Sequence, residues 1–232
     1  MSVGLAIFVK TPGRSGVKTR LAAGMGEEFA LAWHRRAAAA VAAVARDAEQ
    51  RSTAGNPLRA YWAVAEAAAI VEGDWPGLPN LAQEEGGLGE RMARIYSQLY
   101  DRHRAGLLIG ADAPQLRSDY LVNAAQWLDS AEPRLVIGPA RDGGFWLFGG
   151  NCPIPMSAWT DVIYSRSDTE QRFCAGLAGK GELWRLPMLS DLDRAEDIPF
   201  VQAELDAMVG ALPEQRAIGD WLSTQPCSQH VK

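Results

Sequence analysis

The sequence predicts an α/β fold with a mostly parallel central sheet and helices on both of its faces. Nearly continuous apolar runs such as Val3–Val9 and Gly106–Gly110 are typical of strands buried on both faces. Longer helical patterns, such as the alanine-rich residues 27–50, alternate with these runs. With 232 residues, 47% of them hydrophobic, the chain can build one full core. We therefore predict one domain over residues 1–210 and a partly helical or disordered tail over residues 211–232.

The other elements follow from the same periodicities and from turn residues between them. Further strands are predicted at residues 58–64, 80–83, 135–138, 145–148 and 183–186. Further helices are predicted at residues 65–71, 90–103, 118–129, 168–177, 195–209 and 214–222. Ser118 is the expected N-cap of its helix. Residues 151–160 contain two prolines and are predicted to form a loop.

Composition excludes several classes of protein. A net charge of -5 argues against a general nucleic-acid binder, which needs a basic face. Cys152, Cys174 and Cys227 are widely spaced and form no CxxC pair, so neither a disulfide framework nor structural zinc is indicated. No stretch approaches the ~18 apolar residues of a membrane span, and the first apolar run is too short for a signal peptide. We expect a soluble, cytoplasmic protein whose partners are small molecules.

The loop after the first strand, residues 10–21, concentrates positive charge. It holds the four cations that we predict to face phosphate, namely Lys10, Arg14, Lys18 and Arg20. Gly13 and Gly16 allow backbone N–H groups to approach an anion that the cations neutralise. Val17 separates Gly16 from Lys18, so the loop is not a Walker A motif. The alternative is a solvated basic turn without a ligand.

Two aspartates follow predicted elements at positions suited to a metal ion. Asp112 comes directly after the strand at Gly106–Gly110, where ligands of parallel sheets bind. Its carboxylate is a ligand type that Mg²⁺ and Mn²⁺ prefer, although it could instead cap a turn. Asp193 is the second candidate, and the sequence does not decide between it and Asp191. The plainer interpretation of Asp193 is a helix cap with Glu196 completing a capping box.

Asp142 lies in the segment Arg141–Gly144, between two predicted strands. It is a third candidate catalytic carboxylate, but Asp-Gly is also the commonest hairpin-turn signal. The three histidines, His34, His103 and His230, show no ligand spacing. We predict that they lie on helix surfaces or in the tail.

Taken together, these stretches resemble the DUF2064 family of bacterial proteins, whose members are described as predicted glycosyltransferases or radical-SAM/selenodomain-associated transferases. The resemblance begins with the Lys-x-Pro and Lys-Thr-Arg-Leu segments within residues 8–21. It continues in order through residues 87–92, 110–114, 142–145 and 191–197. It covers about residues 3–200.

The resemblance implies a GT-A fold, that of the nucleotide-diphospho-sugar transferase superfamily, a three-layer α/β/α sandwich. The layout is also similar to that of 2-phospho-lactate guanylyltransferase and of the sugar-acid cytidylyltransferases. By that likeness Asp112 and Asp193 bind Mg²⁺ or Mn²⁺, and Lys18, Asp112 and Asp142 are the catalytic residues. The four cations of the first loop would then face the phosphates of a nucleotide donor.

The resemblance also places a glycine-rich loop near the base or ribose of the nucleotide. Its candidate nucleotide-binding residues are Gly86, Gly87 and Gly89, in addition to Gly13 of the first loop. The sequence departs from the family in two places. Tyr164-Ser165-Arg166 stands where the family has Trp-Ser-Thr, and alanines flank Asp112 where the family has serine and cysteine.

These observations predict a metal-dependent transferase that uses a nucleotide donor and an unknown small acceptor. Family descriptions favour transfer of a sugar from a nucleotide sugar. The four cations of the first loop favour the alternative, transfer of a nucleotidyl group from a nucleoside triphosphate to a small phosphorylated or acidic acceptor. A third possibility is a non-catalytic protein that binds a nucleotide.

Overall fold

A seven-stranded sheet forms the centre of the computed structural model, which describes residues 2–225. The strands are β1 (Val3–Val9), β2 (Leu58–Val64), β3 (Asn80–Ala82), β4 (Gly106–Gly110), β5 (Arg134–Pro139), β6 (Phe145–Gly150) and β7 (Glu182–Arg185). They lie in the order β3-β2-β1-β4-β6-β5-β7. Of these seven strands, β6 alone runs antiparallel to its neighbours. The predicted mostly parallel sheet is confirmed.

Helices cover both faces of this sheet. They are α1 (Thr19–Met25), α2 (Glu27–Arg51), α3 (Ala67–Glu72), α4 (Leu88–His103), α5 (Ser118–Leu128), α6 (Met156–Thr160), α7 (Thr169–Gly176), α8 (Ile198–Asp206) and α9 (Pro213–Ser223). Strand β1 shows how the layers form, because Leu5 and Ile7 pack in the core with α2 and α5 whereas Ala6 packs in the core with α4. Alternating burial on both faces explains the continuous apolar run. The predicted three-layer α/β/α architecture is therefore confirmed.

Two short helices were not expected from the sequence. Helix α1 begins inside the basic loop, and its N-cap residue Lys18 has the left-handed backbone conformation with φ of 48°. Helix α6 lies within residues 151–160, where the prediction of loop is wrong for the last five residues. Pro155 is the N-cap of α6, so proline here ends the preceding extended segment and does not prevent the helix.

The capping predictions for two helices are wrong. Arg117, not Ser118, is the N-cap of α5, and the Ser118 hydroxyl donates to the carbonyl of Val44 at 3.4 Å. The helix predicted at residues 195–209 is a 3₁₀ turn (Ala195–Asp197) followed by α8.

Asp193 does not cap that turn. Arg194 is its N-cap residue, and the Asp197 carboxylate accepts from the backbone N–H groups of Asp193 at 3.0 Å and Arg194 at 2.7 Å. Because Asp197 satisfies these orphan donors, the Asp193 side chain is available to the edge of the sheet.

Helix α9 confirms the predicted helix near the C-terminus. Ile218 and Leu222 are buried against α2 and α8 in a third apolar cluster. The Gln215 amide donates to the carbonyls of Pro114 and Leu116 at 2.7 and 2.8 Å, which ties α9 to the segment that follows β4. Residues 226–232, with Cys227 and His230, lie outside the described part of the chain. Within the described part, no helix combines the length and the apolar character of a membrane span.

The close approach of α4 to α6 requires glycine at position 89. A Cβ atom added there would overlap the carbonyl oxygen of Trp159 and would lie 3.1 Å from the Tyr164 ring. The Tyr164 hydroxyl donates to the same carbonyl at 2.7 Å, so the carbonyl is held in place. Packing between helices therefore accounts for Gly89 independently of any ligand.

We predict that Gly89→Ala destabilises the protein by about 1–3 kcal/mol, because overpacking forces a backbone shift. The matched control is Gly219→Ala in α9, where a new Cβ would meet Leu205 at an ordinary 3.7 Å. That control should stabilise by roughly 0.5–1 kcal/mol through helix propensity. Urea denaturation of both variants measures the difference, and equal stabilities would contradict the packing argument.

Candidate functional site

Four loops meet at the carboxyl-end edge of the sheet. They follow β1, β4, β5 and β7 and comprise residues 10–18, 111–117, 140–144 and 186–194. A parallel bridge joins Ala140 to Leu189, and Arg141 donates its backbone N–H to the Leu189 carbonyl at 3.0 Å. The loops after β5 and β7 are thereby held side by side, at the edge where parallel sheets bind their ligands.

Lys18 is the centre of this edge. Its ammonium lies 3.0 Å from Asp112 Oδ2 and 2.7 Å from Asp193 Oδ1, and its side chain is only 5% exposed. Burial lowers the pKa of Lys18, but attraction to the two carboxylates and hydrogen bonds to both outweigh it, so the pKa is raised. The lysine therefore stays charged. Its left-handed backbone is a strained conformation that these contacts maintain.

Asp112 is held as a carboxylate by the same contact. Burial raises the pKa of Asp112, but the charge of Lys18 more than compensates and holds it well below the usual range. Asp112 Oδ1 is buried without a hydrogen-bond partner among the described residues. His34 Nδ1 lies 3.9 Å from this oxygen.

His34 is 5% exposed, so the prediction that it lies on a helix surface is wrong. Its Nε2 lies 2.9 Å from the carbonyl oxygen of Lys10. Because a carbonyl can only accept, Nε2 carries a proton and donates it. His34 therefore ties the start of the basic loop to helix α2 and faces Asp112 with its other nitrogen. A single histidine in an alanine-rich helix gave no signal of this role.

Three carboxylates crowd together beside the Lys18 contact. One oxygen each of Asp142, Asp191 and Asp193 lies within 4.8 Å of the others, a spacing at which they could hold a metal ion. Burial, followed by repulsion from Asp142 and Asp193, raises the pKa of Asp191 to about 7. Asp193 belongs both to this acidic cluster and to the Lys18 contact. The sequence predicted Asp112 with Asp193 or Asp191 as metal ligands, and the geometry brings Asp191, Asp193 and the candidate catalytic residue Asp142 into one cluster.

The cations predicted to face phosphate are divided. Arg14 points away, because it pairs with Glu72 and, at 3.0 Å, with Asp74. Arg20 Nη1 lies 3.8 Å from Asp193 Oδ2, and the Arg20 side chain is 53% exposed. Lys10 is exposed at the mouth of the same loop. The structure thus brings Lys18 and Arg20 to the carboxylates and does not bring Arg14.

The predicted glycines are explained largely by local structure. Gly13 has φ of 85° in a turn where Arg14 and Ser15 donate their N–H groups to the Thr11 carbonyl. At the start of α4, the Gly86 carbonyl accepts from Arg91 Nε at 2.8 Å. The adjacent Gly87 N–H donates to Glu90 Oε2 at 2.7 Å. These contacts neither require nor exclude a ligand.

Two glutamates that the sequence did not single out hold the site loops. Glu66, directly after β2, accepts the Thr11 N–H at 2.9 Å. Glu204 in α8 accepts from the Ser190 N–H at 3.0 Å, the Ser190 hydroxyl at 2.6 Å and the Gln115 amide at 2.8 Å. The position of Glu66 at a strand end was an available signal. Glu204 lies within a helix, where nothing in the sequence indicates a loop contact.

Comparison with solved structures identifies the fold class of the protein. The chain superimposes on a protein from Desulfovibrio desulfuricans G20, provisionally assigned as a nucleotide-diphospho-sugar transferase, with a TM-score of 0.78 and 22% identity over 99% of both chains. It also matches 4-diphosphocytidyl-2C-methyl-D-erythritol synthase from Anaerococcus prevotii, with a TM-score of 0.51 and 9% identity over 88% of this chain and 96% of the other. The expected nucleotide-diphospho-sugar transferase fold is confirmed.

The family is identified from the sequence itself. The model of DUF2064, described as an uncharacterized protein conserved in bacteria, matches residues 41–166, more than half of the chain. The protein belongs to this family, as the ordered motifs predicted. No curated protein sequence matches the chain significantly.

We predict that Lys18→Met destabilises the protein by about 1–3 kcal/mol near neutral pH, because it leaves two carboxylates without their shared cation. The loss should shrink at about pH 3, because Asp112 in the variant no longer has the cation that lowers its pKa and this buried carboxyl can take up a proton. Urea denaturation at both pH values measures it. The control is Lys10→Met, at an exposed position of the same loop. A loss independent of pH, or equal in the control, would contradict the ion-pair account.

The raised pKa of Asp191 predicts a second pH effect. The pKa of Asp191 in the folded protein is about 7, whereas the ordinary pKa of an aspartate is 3.8, so Asp191 keeps its proton up to about pH 7. Between these two pKa values the folded state therefore binds more protons than the unfolded state. The contribution of Asp191 to stability is fully present below the ordinary pKa and is lost as the pH rises through the raised pKa. As the pH rises from about 5 to about 8, the free energy of unfolding of Asp191→Asn should increase relative to that of the wild type by on the order of 1–2 kcal/mol.

Unfolding free energies in a buffer with chelator measure this effect. The control is Asp101→Asn, on the exposed face of α4. Its stability should follow the wild type at every pH. Parallel curves for Asp191→Asn and the wild type would show that crowding does not perturb Asp191.

Proposed function

We propose that the protein is a metal-dependent transferase that acts on a nucleotide donor at the carboxyl-end edge of the sheet. The observation that carries the proposal is the buried contact of Lys18 with Asp112 and Asp193, beside which Asp142 and Asp191 form an acidic cluster with Asp193. Ligands of parallel α/β sheets bind at this edge. The shared fold of nucleotide-using enzymes supports the same location, although likeness of fold alone does not define an activity.

Charge supports the requirement for a divalent cation. Asp112 and Asp193 pair with Lys18, and Arg20 lies near Asp193, so the four carboxylates at this edge outnumber the two nearby cations. A phosphate group would be repelled from this surface unless a cation were bound first. The raised pKa of Asp191 has the same origin, because its burial and its like-charged neighbours disfavour a further carboxylate charge. Mg²⁺ and Mn²⁺ suit such oxygen ligands and commonly also bind substrate phosphates.

We assign the following roles to the chain's own residues. Asp193 and the neighbouring acidic cluster would hold the metal ion, with Asp112 completing its ligands when Lys18 turns to the phosphates. Lys10 and Arg20, which are solvent-accessible, would contact the phosphates directly. The metal supplies neutralisation of charge that develops on the departing phosphate oxygens. Asp142, the most exposed member of the acidic cluster, would meet the acceptor.

The acceptor side of the site is proposed to include residues 164–168. This segment packs against the Asp142 hairpin, since a Cβ on Gly143 would overlap the Ser167 backbone. Gly143 also accepts the Glu170 N–H at 2.8 Å. The two residues that differ from the family, Tyr164 and Arg166, thus lie in a segment next to the hairpin of a candidate catalytic carboxylate. Variation at this place fits a change of acceptor within a common donor site.

Among the possible reactions, we favour glycosyl transfer from a nucleotide sugar. The argument for a triphosphate donor rested on four cations, and Arg14 is engaged by Glu72 and Asp74. The smaller set that remains suits the lower charge of a diphosphate. Nucleotidyl transfer is the alternative, supported by the fold shared with 4-diphosphocytidyl-2C-methyl-D-erythritol synthase. A non-catalytic nucleotide-binding role is the remaining candidate.

A thermal-shift panel with Mn²⁺ or Mg²⁺ tests the proposal. Nucleotide sugars and nucleoside triphosphates are each added to the wild type, Asp112→Asn, Asp193→Asn and the control Asp101→Asn. At about 100 times Kd a ligand stabilises by ~2.7 kcal/mol, which raises Tm by roughly 5–10 °C. We expect this shift, with metal present, in the wild type and the control, and its loss in the two site variants.

The same panel separates the candidate reactions. Stabilisation by triphosphates together with metal-dependent release of pyrophosphate would replace glycosyl by nucleotidyl transfer. Nucleotide binding that persists without metal, and unchanged in Asp193→Asn, would reject the metal assignment. If no nucleotide or nucleotide sugar shifts Tm under any condition, the donor site itself is wrong.

A further inference from the structure

A groove of about 520 Å³ lies beside residues 11 and 12 of the basic loop. Helix α2 forms one wall, and the segment after α3 forms the other. Thr11 and Pro12 close one end, so the groove shares a wall with the candidate transferase site. Its volume falls within the range of small-molecule sites, ~300–1,000 Å³. The proposed transferase chemistry uses none of the other residues that line it.

The α2 wall carries positive charge at each end. Arg35 and Arg46 are eleven positions apart in sequence, which places them on one face of the helix about 16 Å apart. Ala38, Ala39 and Ala42 lie between them and leave the groove open. Within residues 2–225, no ion pair or hydrogen bond engages either guanidinium. Arg14, by contrast, neutralises the lining carboxylate Asp74 at 3.0 Å. The groove therefore has a net positive wall.

The opposite wall is aromatic and already satisfied in hydrogen bonding. Trp62 and Trp75 pack with ring centroids 5.0 Å apart, and both line the groove. The Trp62 indole donates to the Pro76 carbonyl at 3.1 Å, and the Trp75 indole donates to the Thr11 hydroxyl at 2.9 Å. Since both N–H groups are occupied inside the protein, the surface that these rings leave open to the groove is apolar, and most of it belongs to Trp75, because Trp62 is buried.

We propose that this groove is a second small-molecule site, and that it binds an organic anion with a flat apolar body, such as an aromatic carboxylate or sulfonate. The indoles and alanines would bury the flat body, and Arg35 or Arg46 would pair with the anionic group. The proposal is independent of the transferase site, because neither arginine contacts Lys18 or the acidic cluster.

The indole resonances of the protein provide a local test. Naphthalene-2-sulfonate is titrated into ¹⁵N-labelled protein, with neutral 2-naphthalenemethanol as the uncharged probe. Trp62→Phe and Trp75→Phe identify the two indole signals. We expect saturable shifts of both signals with the sulfonate and binding at least roughly tenfold weaker with the alcohol. The indole of Trp221, which packs with Phe29 on another face of α2, should not move.

Two variants and one control complete the experiment. Arg35→Gln with Arg46→Gln should weaken sulfonate binding roughly tenfold or more, and Ala39→Glu should abolish it by placing a negative charge at an exposed lining position. The control is Arg36→Gln, whose guanidinium lies 5.1 Å from the Trp221 ring and outside the groove. Circular dichroism verifies folding, and the nucleotide thermal shift of these variants should remain that of the wild type.

The proposal is overturned by several results. These are absence of saturable shifts, equal affinity for the neutral alcohol, or equal weakening by Arg36→Gln. Binding that survives Ala39→Glu would also overturn it. Because Lys18 and its carboxylates are intact in all of these variants, failure here leaves the nucleotide result unaffected, and failure of nucleotide binding leaves this one unaffected.

Discussion

The arrangement of the site depends on one buried charge, the ammonium of Lys18 between Asp112 and Asp193. This contact joins the loop after β1 to the loops after β4 and β7, which are distant in sequence. Removing an ammonium from water is unfavourable, so the lysine lies here only because two carboxylates offset the desolvation. Its left-handed backbone adds strain that the surrounding contacts must sustain.

Further contacts hold in place the loops that carry Lys18 and its carboxylate partners. Glu66 and His34 hold the basic loop from two sides, through the Thr11 N–H and the Lys10 carbonyl. Glu204 holds Ser190, the residue that precedes Asp191 of the acidic cluster. These contacts pre-position the side chains before any ligand arrives, which reduces the reorganisation that binding must impose. The acidic cluster stays crowded, and burial together with the like charges of Asp142 and Asp193 raises the pKa of Asp191.

The basic loop contributes to two surfaces. Lys18 of this loop contacts Asp112 and Asp193, whereas Thr11 and Pro12 form the end of the groove beside α2. The hydrogen bond from Trp75 to Thr11 connects the groove wall to the loop. The loop that first suggested phosphate binding is thus held by contacts on both of its sides. Its four cations consequently have different environments, and their number alone overstated the positive charge available to a ligand.

The sequence by itself determined the seven strands and all the helices except α1 and α6, because apolar runs and helical periodicities depend on which faces are buried along each segment. It also placed Lys18, Asp112, Asp142 and Asp193 among the site candidates, since strand ends and turn residues are local signals. Their roles remain predictions until binding is measured. The ordered motifs identified the family, which the matched region confirms.

Only the tertiary structure decided how those residues combine. Arg14 forms ion pairs with Glu72 and Asp74, which are far from it in sequence. His34 is buried by residues from segments distant in sequence. The same is true of the packing of Gly89 on Trp159. Long-range pairing leaves no periodic trace, so a cation destined for phosphate and one destined for a carboxylate look alike in the sequence. Lys18 could be recognised as important from its loop, but its two carboxylate partners and its burial follow from the way the sheet brings its carboxyl ends together.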